Sequence, residues 1–173
     1  MKRSATAALV LVLAGVIGFA ALPRGKPMAP PAPQEISDTD TAQFCGMLLS
    51  EHGGPKGQIF LKSSAKPLWF ASVRDAIAFL RLPDMPKDVL AVYVNDMGRA
   101  QDWARPMPGT WIDAHRAVYV IGSRRQSGMN TAEAVPFGEA AAARRFAAEY
   151  GGQVVTFKAI PESYLFPDIG AGS

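Results

Sequence analysis

The feature that most limits how this chain can fold is a pattern that occurs twice. Pro67-Leu68-Trp69-Phe70 is followed by Ala76 and Phe79, six and nine residues beyond Phe70. Pro136-Phe137 is followed by Ala143 and Phe146, six and nine residues beyond Phe137. Each apolar stripe then returns into a β-rich run, Val89–Val94 in the first case and Val154–Lys158 in the second. Self-similarity of this kind reads as a duplicated supersecondary unit; the alternative is a coincidence between two ordinary amphipathic helices. The duplicated reading predicts an α+β fold of two ββαβ halves, about 55–100 and 110–160, sharing one core.

Local signals supply the elements. Ser72 is placed to cap a helix from Val73 to about Leu82, which Pro83 and Pro86 end. Glu139 to Tyr150 is rich in alanine and arginine and closes on Gly151-Gly152, as a helix should. Strands are expected at 58–62, 67–71, 89–94, 110–113, 117–121, 133–137 and 154–158, from β-branched and aromatic residues bounded by polar ones. Residues 124–130 read as a polar, glycine-containing loop. The stretch Asn95–Ala114 forms the joint, with its tryptophans as packing groups.

Before the repeat, Lys2-Arg3 precede an apolar run from Ala5 to Leu22 broken only by Thr6. This is the pattern of a secretory signal, with a small-x-small cleavage site at Gly18-Phe19-Ala20. The run is also nearly long enough to span a bilayer, so cleavage and retention as an N-terminal anchor (residues 1–22) both stand. No cysteine closes the run, so a lipid has no thiol there. Residues 23–43 hold five prolines and a Ser-Asp-Thr-Asp-Thr run and read as a flexible linker. The folded domain is expected over 44–160, with 161–173 as a tail. Hydrophobic residues make up 49% of the chain, enough for a core. The formal charge of +3 shrinks to 16 basic against 15 acidic residues once Lys2 and Arg3 are set aside. That balance offers no basic face for nucleic acid.

The chemistry concentrates at Phe44-Cys45-Gly46-Met47, which contains the one cysteine of 173 residues. Thiolate and thioether are soft donors that favour Cu(I). If 45–47 is extended, Cys45 and Met47 point to one face, since strand side chains alternate. The plainer reading is a buried cysteine and a gap-filling methionine. Met129, between Gly128 and Asn130, is an apolar side chain in a polar loop with no periodic reason to be there. Its plainer reading is a loop residue folded onto the core. His52 is a fourth donor, since neutral imidazole binds copper, or else a solvated histidine. Met85, Met97 and Met107 read as packing, and His115 as structural. No hydrolase, phosphate-loop or metalloprotease motif is present. A nucleophilic Cys45 with His52 or His115 as base lacks an identifiable orienting group. The carboxylates are scattered rather than spaced as a calcium loop.

Several runs together resemble the NosL family, the copper chaperones that assist maturation of nitrous-oxide reductase. They are Phe44-Cys45-Gly46-Met47, Gly54-Pro55-Lys56-Gly57-Gln58-Ile59, Pro67-Leu68-Trp69-Phe70, Tyr93-Val94-Asn95-Asp96-Met97, Trp111-Ile112-Asp113-Ala114, Val120-Ile121-Gly122-Ser123 and Glu133-Ala134-Val135-Pro136-Phe137. The resemblance covers about residues 44–158. It implies the duplicated architecture, Cys45 and Met47 as a Cu(I)-binding pair, Met129 as the methionine of the second-unit loop and, more weakly, His52. It further implies a periplasmic, non-enzymatic Cu(I) carrier, either soluble after signal cleavage or held to the inner membrane by residues 5–22. Its partners would be the nitrous-oxide reductase maturation machinery and nitrous-oxide reductase itself, and the protein is expected as a monomer or weak dimer. Family members are typically lipoproteins, and this chain departs from them in lacking a cysteine at the end of its apolar run. Two rivals are a cysteine-dependent enzyme of the cell envelope and an interaction module with a buried free cysteine.

Overall fold

A computed structural model describes residues 29–106 and 108–167. The apolar run at 5–22 and Met107 therefore lie outside the described residues, and within them no helix is long and apolar enough to cross a membrane. The first unit is β1 (Gly57–Leu61), β2 (Leu68–Phe70), α1 (Val73–Arg81) and β3 (Val89–Asn95). After β4 (Trp111–Asp113) comes the second unit: β5 (Val118–Ile121), β6 (Val135–Phe137), α2 (Ala140–Tyr150) and β7 (Gln153–Thr156). A short α3 (Glu162–Leu165) closes the fold.

Both units use one topology. The first sheet runs β2-β1-β3-β4 and the second β6-β5-β7, and every pairing is antiparallel. In each unit the first strand is central, its hairpin partner lies on one side, and the strand after the helix lies on the other. The α+β, duplicated ββαβ expectation holds. Phe70 and Phe137 end equivalent strands, and Ala76 and Ala143 are both fully buried under their helices. One boundary moves. The strand at 110–113, assigned from sequence to the second half, pairs Tyr93↔Asp113 and Asn95↔Trp111 and extends the first sheet. Its Trp111 side chain packs on Trp69 of β2's unit, ring centroids 5.9 Å apart, and burial on that face decides its sheet.

The helices follow their local chemistry. Ser72 caps α1, its hydroxyl accepting from the Asp75 N–H at 3.4 Å. Val73, Ala76, Ile77 and Phe79 form the buried stripe, as the helical period requires. Gly151 ends α2. One core joins the units: Ile59, Phe70, Ile77, Val92 and Val94 meet Tyr119 and Ile121 of β5. Val135, Phe137 and Ala143 form a second cluster under α2.

Parts of both the expected linker and the expected tail are instead docked. Residues 31–43, read as linker, lie across the outer face of the first sheet. Gln58 is fully buried there, and a buried amide requires partners. It accepts from the Gln34 N–H at 2.9 Å and donates to the Gln34 carbonyl at 3.0 Å. The Tyr93 hydroxyl donates to the Pro31 carbonyl at 2.7 Å. Glu35 accepts from the Gly109 N–H and the Trp111 indole N–H at 2.9 and 3.2 Å. Prolines here straighten a strap rather than loosen a tether. The start of the expected tail also packs: Leu165 is a core residue, next to the end of the expected domain, where Arg81 donates to the Ile160 and Phe157 carbonyls at 2.6 and 2.9 Å.

Candidate functional site

Cys45 sits in a turn hung from the edge of the first sheet. The Gln43 N–H donates to the Trp69 carbonyl at 2.7 Å, using the free side of β2. The Ala42 N–H donates to the Met47 carbonyl at 2.9 Å, and Thr41 bridges Leu48. Within that closure the Gly46 N–H reaches the Ala42 carbonyl at 2.8 Å. Gly46 lies at φ +68°, a left-handed conformation that glycine adopts without a Cβ penalty. Cys45 and Met47 therefore flank a reversal and do not belong to an extended tripeptide; the alternation expected from sequence does not apply.

The turn is exposed. Cys45 is a free, exposed thiol, which removes the reading of a buried structural cysteine. Phe44 and Met47 are 53% and 42% exposed, and they are two of the three large hydrophobic side chains exposed among the described residues. Phe44 is nonetheless seated, its ring edge-on to Phe70 at 5.5 Å and tilted on Phe79 at 6.0 Å. The aromatic contacts tie the turn to the core.

A 3-10 turn, Leu49–Glu51, leads from the sulfur pair to His52. The imidazole Nδ1 lies 3.4 Å from the Gly128 carbonyl. A carbonyl only accepts, so this contact is a hydrogen bond when Nδ1 carries a proton. Nε2 is buried and has no hydrogen-bond partner. Metal-binding histidines show this division, with one nitrogen held by a carbonyl and the other free for the ion.

The contact with Gly128 also brings in Met129. Residues 126–132 form a tight loop closed by the Gln126↔Ala132 bridge and a Ser127 N–H to Thr131 carbonyl bond of 2.9 Å. Met129 is half-buried near its tip. The loop presses on the His52 segment so closely that a Cβ on Gly128 would stand 2.5 Å from the Gly53 oxygen and 2.6 Å from its nitrogen. Gly128→Ala must therefore push the two loops apart; we expect a loss of roughly 1–3 kcal/mol, read as a lower Tm, together with weakening of the His52–Gly128 contact.

The four sequence candidates thus fall in two pairs, Cys45 with Met47 and His52 with the Met129 loop, joined by one 3-10 turn. His115 is elsewhere, its ring 4.4 Å from Phe157 in the turn between β4 and β5. Met85 and Met97 pack against the two cores as expected. Among the described residues no three His, Cys, Asp or Glu side chains gather.

Of the buried charged residues, Lys56 and Glu133 receive no role of their own from the sequence. Lys56 is 3% exposed; burial pushes its ammonium down to about 8, and the Glu133 carboxylate partly offsets this. Glu133 is 1% exposed. Its Oε1 accepts from the Arg74 N–H at 2.9 Å, the Ala134 N–H at 2.8 Å and the Ser72 hydroxyl at 3.2 Å, capping α1 from the other unit. Oε2 is buried without a partner, and burial raises the carboxyl to about 7. The sequence signals were their place in two of the family-like runs and their position, each beside an apolar strand.

Fold and site define a two-sheet α+β protein that displays a thiol and a thioether on an exposed turn. The profile of the NosL family matches residues 33–165, and the chain belongs to that family. It is 44% identical over 142 residues to the copper-binding lipoprotein NosL of Achromobacter cycloclastes, covering 82% of this chain and 74% of that one. It is 33% identical over 133 residues to the copper-binding lipoprotein NosL of Stutzerimonas stutzeri, covering 77% and 68%. Among solved structures it is similar to the copper chaperone NosL from Shewanella denitrificans, with a TM-score of 0.72 at 36% identity over 78% of this chain and 99% of that one.

Proposed function

We propose that this protein binds one Cu(I) through Cys45, Met47 and Met129, with His52 Nε2 as the nitrogen donor, and passes it on for maturation of nitrous-oxide reductase. The observation that carries this is the exposed Cys45-Gly46-Met47 turn leading directly to an imidazole whose free nitrogen has no other partner. Soft sulfur donors favour the monovalent ion. A thiol open to solvent lets an incoming ligand attack the ion before the outgoing one leaves, as handover requires. The names of the relatives support copper as the cargo. The recipient would be the maturation machinery and finally the reductase. The periplasm is the compartment proposed, and the protein is proposed as a non-enzymatic monomer or weak dimer.

The relatives are named lipoproteins, whereas the single cysteine of this chain is Cys45. Membrane attachment here is therefore proposed through the apolar run 5–22, or is absent after cleavage. Metabolic labelling with a fatty acid should leave the protein unlabelled, and incorporation would overturn this.

X-ray absorption on the Cu(I)-loaded protein counts the donors directly. We expect sulfur scatterers with one nitrogen. Met47→Leu and Met129→Leu delete a thioether at near-constant volume, so each should cost less than about 1.5 kcal/mol of stability. Each should weaken Cu(I) in competition with a colorimetric chelator without abolishing binding, Met47 more than Met129, because the thiolate remains. Unchanged affinity in both variants would remove the thioethers from the site.

A further inference from the structure

His52 is presented by a loop whose carbonyl groups turn inward, and one buried ammonium meets them. Lys56 Nζ donates to the Gly54 carbonyl at 2.7 Å and the Gly53 carbonyl at 3.0 Å. Its own backbone is fixed at the start of β1: the Lys56 N–H donates to Asn95 Oδ1 at 2.8 Å, and the Asn95 N–H to the Lys56 carbonyl at 3.2 Å. Asn95 in turn donates through Nδ2 to the Thr110 hydroxyl at 3.0 Å. Among the described residues no carboxylate comes within ion-pairing distance of Lys56. A buried ammonium without a salt bridge is costly, and an apolar side chain of the same length would fill the space more favourably. What methionine or leucine cannot do is donate to two inward carbonyls at once.

We propose that Lys56 is a positioning residue for the copper site: it fixes the Gly53-Gly54 carbonyls and thereby holds His52 with Nδ1 on Gly128 and Nε2 free for the ion. The copper part rests on the function proposed above; the positioning part stands on the metal-free geometry. The lever is short and stiff. Gly53 is in backbone contact with Gly128, with no room for a Cβ between them. Any shift of Gly53 that follows loss of the ammonium therefore moves the loop bearing Met129 as well. Removing the amine also strands two carbonyl oxygens in a largely buried setting, which favours such a shift.

The test compares the full chain with Lys56→Met and Lys56→Arg. Long-range proton–nitrogen NMR on the metal-free protein reads the His52 tautomer, which a general loss of stability would not change in the folded fraction. The parent should show a single tautomer with the proton on Nδ1. Lys56→Met should show mixed tautomers at a retained fold, and Lys56→Arg, which keeps donors, should return toward the parent. Should Lys56→Met not fold, Lys56→Gln carries the same comparison with a neutral donor too short to reach both carbonyls. With Cu(I), the methionine variant should bind about 10- to 100-fold more weakly, the range for groups that orient a metal ligand. Its X-ray absorption should lose the nitrogen scatterer and keep the sulfur ones. A single Nδ1–H tautomer in Lys56→Met overturns the proposal. A mixed tautomer with unchanged copper affinity supports the positioning of His52 by Lys56 and instead overturns His52 as a copper ligand.

Discussion

Cys45→Ser should lower Cu(I) affinity by more than about 100-fold, or about 2.8 kcal/mol of binding free energy, while leaving Tm nearly unchanged. The two halves of that result have separate causes. A serine hydroxyl is a hard donor that scarcely ionises at neutral pH, so it does not replace a thiolate toward a soft ion. The side chain is exposed, and the turn is shaped by the left-handed Gly46 and the Gln43–Trp69 bond rather than by the sulfur. Exposed substitutions of this kind stay within about 0.5 kcal/mol in stability. Anaerobic competition against a colorimetric Cu(I) chelator measures the first half and calorimetry the second. Parent-like affinity in Cys45→Ser would end the chaperone reading. A large fall in Tm would mean that the sulfur is structural after all.

The second large effect is on stability against pH, and two buried charges produce it. Glu133 is raised from 4.5 to about 7 on folding, so between those values the folded chain holds a proton that the unfolded chain has lost. Stability from this group is full below about 4.5 and falls as pH rises to about 7, by about 3 kcal/mol. Lys56 is lowered from 10.5 to about 8, so above 8 the folded chain sheds its proton first. Its contribution climbs again between about 8 and 10.5, by a similar amount. Together they predict a stability minimum between about 7 and 8. Glu133→Gln should flatten the acid limb and stabilise the protein above pH 7, since a neutral amide keeps an oxygen for the α1 cap. Glu133→Ala should instead cost about 2 kcal/mol, because the Arg74 N–H and the Ser72 hydroxyl lose their acceptor. Chemical denaturation across pH 4 to 10 reads both limbs. A flat profile for the parent would show that neither group titrates as its burial dictates.

The architecture was legible because it was written twice. The offsets from Phe70 to Ala76 and Phe79, and from Phe137 to Ala143 and Phe146, gave the ββαβ unit without any long-range contact. What could not be read locally was which sheet claims an ambiguous strand. β4 follows a long joint and abuts the second unit in sequence, yet its tryptophan is buried against Trp69 of the first. The strap at 31–43 was misread for the same reason. Proline-rich composition describes how a segment behaves alone, and only Gln58 and Tyr93, many residues away, reveal that it has somewhere to lie. At the site, the residue types pointed to soft-metal chemistry, but the geometry did not follow from them. The turn at Gly46 replaced an extended tripeptide, and the pairing of His52 with Gly128 joins positions 76 residues apart. The burial of Lys56 and Glu133 was not legible because a charged residue beside a strand normally points to water.

The strap has a consequence for how far the molecule can travel. With Pro31 bonded to Tyr93 on the sheet, a retained anchor ending at Leu22 would be linked to the folded body by residues 23–30 alone. At no more than about 3.6 Å per residue, that leash extends to about 29 Å. It leaves from a fixed point over β3 of the first sheet, two strands across from β2, the edge strand from which the Cys45 turn hangs. An anchored molecule would search a shell only a few nanometres deep above the bilayer. Its recipient would have to come within that shell, whereas a cleaved molecule could meet one anywhere in its compartment.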